Sequence, residues 1–220
     1  MPIVSSADEE KRLAAEAAAE LVESGMTVGL GTGSTVAHLL PAIARRELTD
    51  IRCVATSVAT SEQARELGIP VEDFDSLTRL DIAIDGTDEV TPDGWLIKGG
   101  GGAHLREKIV AAAAERFVVV CDSSKPVEAL RGPVPLELFG FGAASTLERL
   151  GSEVDLRDVP RSPDGGLIAD YRGPGLDDPA ALAGRLEADP GVAAHGLFPP
   201  DMVSAVFVAR GDAVDRISFS

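Results

Sequence analysis

Apolar positions recur at helical spacing near the start of the chain, where Leu13, Ala17 and Leu21 fall on one face. Ser6 with Glu9 three residues later reads as a capping box, and Ser24-Gly25 closes the predicted helix. Thr27 to Leu30 reads as a short strand that enters a glycine-rich turn, and a helix is predicted over about Thr35 to Arg46. The alternation continues with a strand at Ile51 to Ser57, a helix at Ser61 to Leu67 closed by Gly68, and a strand at Asp81 to Ile84. A helix at His104 to Ala114 and a strand at Phe117 to Cys121 follow. Repeated β-α-β units of this kind predict a mostly parallel α/β sheet with helices on both faces. Ligands of such sheets bind outside the carboxyl ends of the strands.

After Gly132-Pro133 the order changes. Val134 to Phe141 reads as a strand, Ala143 to Leu150 as a helix, and Glu153 to Leu156 and Leu167 to Tyr171 as strands. A helix over Pro179 to Ala188 and a strand at His195 to Phe198 come next. This order suits a smaller α+β domain with an antiparallel, ferredoxin-like sheet. The expected division is residues 1–130 with 206–220 as the main catalytic domain and 131–205 as the small one. Returning the closing segments, Val203 to Ala209 and Arg216 to Phe219, to the first domain is an expectation that strand order alone leaves open.

Composition narrows the setting. The 220 residues, 45% of them hydrophobic, are enough for one sizeable α/β domain and a small companion. Met1 to Ser6 is not basic and leads into an Ala/Glu-rich helix, unlike a secretory signal or transit peptide, and no apolar run reaches membrane-spanning length. Cys53 and Cys121 sit in β-rich runs as small hydrophobes and make no disulfide framework. A reducing cytoplasmic location is therefore expected. With 36 acidic against 20 basic residues, the formal net charge is −16, which argues against nucleic acid or an anionic membrane as partner. Any anionic ligand must be caught by local features. The acidic excess and the preference for Arg over Lys also suit a salt-rich habitat. Only Lys11, Lys98, Lys108 and Lys125 represent lysine.

Four clusters at strand ends carry candidate chemistry. Gly29-Leu30-Gly31-Thr32-Gly33-Ser34-Thr35 lies where a strand becomes a helix. Its glycines allow close backbone approach, while the helix start and the hydroxyls of Thr32, Ser34 and Thr35 can hold phosphate oxygens. It lacks the third glycine and the distal acid of a dinucleotide site, and no Walker lysine follows. The plainer reading is a tight turn capped by Ser or Thr. Asp85-Gly86-Thr87-Asp88-Glu89 follows an apolar strand and sets two carboxylates at the ligand edge, or is a solvated Asp-Gly turn. In the third cluster, Lys98 precedes Gly99, Gly100, Gly101 and Gly102, and the helix after them bears Glu107. Four glycines are costly in entropy, which favours close backbone approach to a ligand over a flexible loop before a solvated helix. Cys121-Asp122-Ser123-Ser124-Lys125 also follows an apolar strand and is a common strand-to-turn sequence, although Lys125 could reach the same edge as Lys98.

In this order and spacing, the segments resemble the ribose-5-phosphate isomerase A family over nearly the whole chain. The resemblance implies interconversion of D-ribose 5-phosphate and D-ribulose 5-phosphate in the non-oxidative pentose phosphate pathway, without metal or organic cofactor. It places Glu107 on the proton-acceptor position. Thr32, Gly33, Ser34 and Thr35, Asp85, Gly86, Thr87 and Asp88, Lys98, Gly99, Gly100 and Gly101, and Lys125 fall on substrate-binding segments, and Lys11 matches a basic position near the phosphate. It also implies a Rossmann-like α/β domain with a small α+β domain, assembled as a homodimer or homotetramer. The sequence departs from the pattern around Gly102-Ala103-His104-Leu105, where many relatives are less glycine-rich and lack a His. His104 is expected to be a partly exposed helix-start residue, three positions before Glu107.

An aldose-to-ketose shift through an enediolate needs one base that takes a proton from C2 and returns it to C1, for which a partly buried Glu107 is expected. Lys98 and the glycine N–H groups can meet the charge growing on the carbonyl oxygen. Asp85 is assigned to ring opening, and Asp88 to positioning with Lys98. No metal is expected, because His38, His104 and His195 lack ligand spacing. The alternative from another class is the sugar-phosphate-sensing effector domain of a regulator, against which stand the acidic charge and the lack of a helix-turn-helix segment. An amino-sugar deaminase or coenzyme A transferase is the rival among enzymes.

Overall fold

A computed structural model describes residues 6–219. Met1 to Ser5, the capping side chain of Ser6, and Ser220 lie outside the described residues. The chain runs α1 (Ser6–Ala19), β1 (Thr27–Leu30), α2 (Val36–Ala44), β2 (Arg52–Ala55), α3 (Val58–Glu66) and β3 (Ile82–Gly86). Next come β4 (Glu89–Val90), β5 (Leu96–Ile97), α4 (His104–Ala113), β6 (Phe117–Asp122), β7 (Val134–Leu138), α5 (Ala143–Leu150) and β8 (Val154–Leu156). The remainder is β9 (Leu167–Tyr171), α6 (Pro179–Glu187), β10 (Val192–His195), β11 (Leu197–Phe198), β12 (Ala205–Arg210) and β13 (Ala213–Ser218).

Two compact units result. The first holds the chain up to Thr87, Arg106–Lys125 and the part from Asp201 onward; the second holds Asp88–Leu105 and Pro126–Pro200. Asp88–Leu105, assigned to the first domain by strand order, belongs with the second unit because β4 pairs with β5 and β5 pairs there with β11.

The six-stranded sheet of the first unit has the order β13-β12-β6-β3-β1-β2. Its pairs are parallel except that of β12 with β13, an antiparallel edge strand. All of β6 and five of the six residues of β12 are buried, as central parallel strands covered on both faces must be. Leu30, Ile82, Ile84, Val118, Val120 and Phe207 join one core with Ala14, Ala15 and Ala18 of α1 and Leu39, Leu40 and Ile43 of α2. Each large side chain among these contributes roughly 1.5–3 kcal/mol of burial. From β1 the chain moves to β2 on one side and then to β3 on the other, so the strand order reverses between β1 and β3.

The four-stranded antiparallel sheet of the second unit has the order β10-β7-β9-β8, with α5 after β7 and α6 after β9. This is the split β-α-β arrangement of a ferredoxin-like unit. Leu136, Leu138, Ala169, Tyr171, Leu182 and Leu186 form its core.

Some boundaries differ from those read in the sequence. Helix α1 stops at Ala19 rather than near Ser24, and the Arg46 guanidinium donates to the carbonyls of Ala19 and Val22, taking the helix end. Helix α3 begins at Val58, before the expected Ser61, because the Ser57 hydroxyl caps it by accepting from Thr60 N–H (3.2 Å). Strand β7 ends at Leu138, leaving Phe139 and Phe141 exposed. The strand expected at His195 to Phe198 is two elements, β10 and β11, that switch sheets at Gly196.

Candidate functional site

The glycine turn grows directly out of the sheet. Gly31 N–H donates to Ile84 O (3.0 Å), extending the β1–β3 ladder by one step. Gly31 lies so close to Asp85 that a Cβ there would stand 2.0 Å from Asp85 Oδ1. That same oxygen accepts from Thr32 N–H (3.0 Å) and Gly86 N–H (2.7 Å), and Asp85 is only 3% exposed. Thr60 Oγ1 donates to Gly31 O (2.9 Å), and the hydroxyls of Thr32 and Thr56 are 2.6 Å apart. A buried carboxylate and three threonines thus hold the turn in one conformation.

Gly33 and Ser34 are exposed at the tip, and Ala37 N–H bonds back to Gly33 O (3.0 Å) as α2 begins. Thr35 is buried and places no side-chain cap on that helix. The helix start, with its partial positive charge, therefore faces outward beside exposed backbone, as an anion site requires. It also lies where the strand order reverses, the place open α/β sheets use for ligands.

Three lysines belong to this unit: Lys108 in α4, and the two matched to substrate-binding positions, Lys11 and Lys125. Helix α1 carries half-buried Lys11, and Lys125 is half-buried in the turn after β6. Glu10 fastens these elements together by accepting from Ser123 N–H (2.9 Å) and Gly211 N–H (2.8 Å). The Ser123 and Gly211 bonds hold its carboxyl below the usual carboxylate range. Thr87 is buried, and Glu107, in the first turn of α4, is 5% exposed. That is deeper than the partial burial expected of it.

In the second unit, Asp88 N–H donates to Ile97 O (2.8 Å), and the exposed Asp88 carboxylate accepts from Gly100 N–H (2.8 Å). Lys98 is 2% exposed, with its ammonium 5.5 Å from the centre of the Phe198 ring. Lys98 N–H donates to Gly196 O (2.9 Å), and a Cβ at Gly196 would stand 2.1 Å from Lys98 O, so no other residue fits there. Gly102 N–H closes a tight turn on Gly99 O (2.9 Å). On the far side of the run, Arg157 Nη1 donates to Gly100 O (2.7 Å) and Gly99 O (3.4 Å). His104, expected to be partly exposed, is fully buried, with its ring packed against the Gly99 backbone.

Within the first unit the glycine turn and Asp85 thus meet directly, and within the second Asp88 meets the glycine run. Gly196, Phe198, Arg157 and Glu10 were missed from the sequence. No motif marks them, although the Gly between two apolar strand pairs at 195–198 was a usable sign. Among the described residues, no group of three or more His, Cys, Asp or Glu is arranged to hold a metal ion, and no helix is long and apolar enough to cross a membrane.

Fold and side chains together define an α/β enzyme with a rigid glycine turn at the reversal of strand order and a buried carboxylate. The chain belongs to the ribose-5-phosphate isomerase A family: the sequence model for Ribose 5-phosphate isomerase A (phosphoriboisomerase A) matches residues 52–213. Ribose-5-phosphate isomerase A of Caulobacter vibrioides (strain NA1000 / CB15N) is 46% identical over 225 residues, covering 96% of this chain and 99% of that protein. The protein of the same description from Chloroflexus aurantiacus is 43% identical over 230 residues, covering 98% and 96%. Among solved structures, ribose 5 phosphate isomerase A from Neisseria gonorrhoeae superposes with TM-score 0.92 at 34% identity, covering 97% of both chains. A D-ribose-5-phosphate isomerase in complex with phospho-erythronic acid gives 0.89 at 34% identity, covering 96% of this chain and 99% of that one. The protein is an isomerase. A model for a DeoR C terminal sensor domain also matches residues 6–71, a stretch confined to the first unit. Pyrococcus horikoshii translation initiation factor eIF-2B, at 18% identity and TM-score 0.54, shares the fold alone.

Proposed function

We propose that this isomerase interconverts D-ribose 5-phosphate and D-ribulose 5-phosphate through an enediolate, with Glu107 as the general base. The observation that carries the reading is the burial of Glu107, at 5% exposure, in the first turn of the helix that follows the glycine run. A carboxylate shielded from water is a stronger base than a solvated one, and one carboxylate can take the proton from C2 and return it to C1. Lys98 and the N–H groups of Gly99 and Gly101 meet the oxyanion as the proton leaves, while Gly100 N–H is held by Asp88. Asp85 assists ring opening, and Asp88 works with Lys98 to position the sugar; the bond from Gly100 N–H to Asp88 supports that second role. Thr32, Gly33, Ser34, Thr35, Lys11 and Lys125 take the phosphate, with Gly86 and Thr87 lining the same edge. The phosphate is remote from the reacting carbons and supplies binding energy and orientation. The reaction uses no cofactor. The protein works in the cytoplasm and assembles as a homodimer or homotetramer, and the exposed Phe139 and Phe141 support the assembly.

The test is incubation with ribose 5-phosphate while ribulose 5-phosphate is followed. Turnover is expected, and Glu107→Gln should lower kcat by at least about a hundredfold while sugar-phosphate binding persists. Near-normal activity of that variant would remove Glu107 from its role. Binding without turnover in the parent protein would instead favour the sensor reading.

A further inference from the structure

We propose that Arg157, held by Asp170, is a positioning residue that aims and strengthens the Gly101 N–H as a donor to the oxyanion; the inference rests on the isomerase mechanism proposed above. Arg157 and Asp170 lie outside all four sequence clusters, on the turn after β8 and in β9. Asp170 fixes the guanidinium through two bonds, from Nε (3.0 Å) and Nη2 (2.6 Å). Nη1 remains for the glycine carbonyls, at 2.7 Å from Gly100 O and 3.4 Å from Gly99 O. The pair is largely buried, with side chains 19% and 11% exposed. Three donors of one planar fork are used at once, which a lysine cannot reproduce.

The consequence follows from peptide geometry. A carbonyl and the N–H of the next residue share one planar trans unit and point in opposite directions. Holding Gly99 O on Arg157 therefore turns Gly100 N–H away from it, and Gly100 N–H does donate on the other side, to Asp88. Holding Gly100 O in the same way turns Gly101 N–H away from Arg157. Gly101 is exposed, and a Cβ there would meet nothing within 4 Å, so there is open space beside this residue. Glycines have no side chains to fix their own path, so the run takes its direction from its Gly102 N–H to Gly99 O turn together with the Arg157 and Asp88 anchors. A cation on the carbonyl end also polarises the peptide and strengthens the N–H as a donor. Donors aligned before charge develops act without reorganisation, and such alignment raises kcat more than it lowers KM.

The experiment compares the parent, Arg157→Ala, Arg157→Lys and Asp170→Asn for kcat and KM with ribose 5-phosphate and for inhibition by 4-phospho-D-erythronate, whose carboxylate carries charge near the position of the enediolate. Thermal melting of each variant reports folding. Arg157→Ala should lower kcat about 10- to 50-fold and weaken the inhibitor by a similar factor, while KM moves less than about threefold. Arg157→Lys and Asp170→Asn should each lower kcat about fivefold. A folded Arg157→Ala with kcat within twofold of the parent overturns the inference, as does a raised KM with kcat unchanged. Should Arg157→Ala fail to fold, the other two variants decide by the same criteria. A parent that does not turn over ribose 5-phosphate overturns the isomerase reading and this inference with it, whereas an active parent with unaffected variants overturns this inference alone.

Discussion

Replacing Gly31 by alanine tests the most tightly built part of the first unit. The added Cβ would stand 2.0 Å from Asp85 Oδ1 and 2.1 Å from Asp85 Cγ, against ordinary contacts of about 3.5–4.0 Å. Asp85 would have to retreat by more than an ångström, yet it is 3% exposed and its Oδ1 is bonded to Thr32 N–H and Gly86 N–H. Losing one hydrogen bond to a charged group costs about 1.5–3 kcal/mol, and overpacking a filled interior costs about 1–3 kcal/mol. Gly31→Ala should therefore destabilise by about 3–5 kcal/mol. Urea unfolding at neutral pH measures this, with Gly33→Ala as the control. A Cβ at Gly33 meets nothing within 4 Å, and its φ of +114° leaves only backbone strain of roughly 1–3 kcal/mol. Repeating Gly31→Ala in an Asp85→Ala background isolates the clash, and most of the cost should disappear. A loss below about 1 kcal/mol, or one unaltered by removing Asp85, would refute the account of how the turn is held.

Burial pushes the thiols of Cys53 and Cys121 up to about 12, so at pH 8 about one molecule in ten thousand carries either thiolate. Neither should react with a thiol reagent in the native protein, and both should react in concentrated guanidinium; rapid native labelling would contradict their placement. Acid should destabilise the fold in a defined window. Thr27 N–H (2.7 Å) and Thr27 Oγ1 (2.8 Å) hold the Asp81 carboxyl below its ordinary range, and the Arg149 guanidinium does the same to Asp189. Folded values below the unfolded ones mean that this stability is fully present above the ordinary Asp value of about 3.9 and is lost as pH falls through the folded values. The urea midpoint should thus drop below about pH 4, and Asp81→Asn should flatten the drop; a midpoint unchanged between pH 6 and pH 3 would count against both assignments.

The β-α-β half of the chain was legible because its central strands are buried on both faces and read as unbroken apolar runs, such as Ile82 to Ile84 and Phe117 to Val120. Strands β4 and β5 were not legible. Each has two residues, too short for any periodicity, and they exist because β11 offers β5 a pairing edge. The burial of His104 escaped notice for a related reason. A polar residue at a helix start reads as exposed, and only the bare backbone of Gly99 makes room for its ring. Asp85 was legible as a strand-end carboxylate, but its grip on Thr32 N–H depends on the register of β1 against β3, which pairing in space sets. Arg157 was the least legible, because nothing in the local sequence distinguishes this largely buried arginine from the exposed ones of an acidic chain.

That acidity bears on how an anion is held at all. At a formal net charge of −16, the field of the whole molecule repels a phosphorylated ligand, and Asp85 adds a fixed carboxylate beside the glycine turn. The repulsion is long-ranged and screened over about 8 Å at physiological ionic strength, whereas hydrogen bonds from backbone N–H groups and the first turn of α2 act at contact. Asp85 also spends one oxygen on Thr32 N–H and Gly86 N–H, so much of its charge is already met by backbone donors. The carboxylate that looks least suited to an anion site is therefore the one that makes its backbone rigid. The first turn of α2 supplies local positive charge and Asp85 supplies rigidity through Thr32 N–H and Gly86 N–H, so removing either should impair the turn for a different reason.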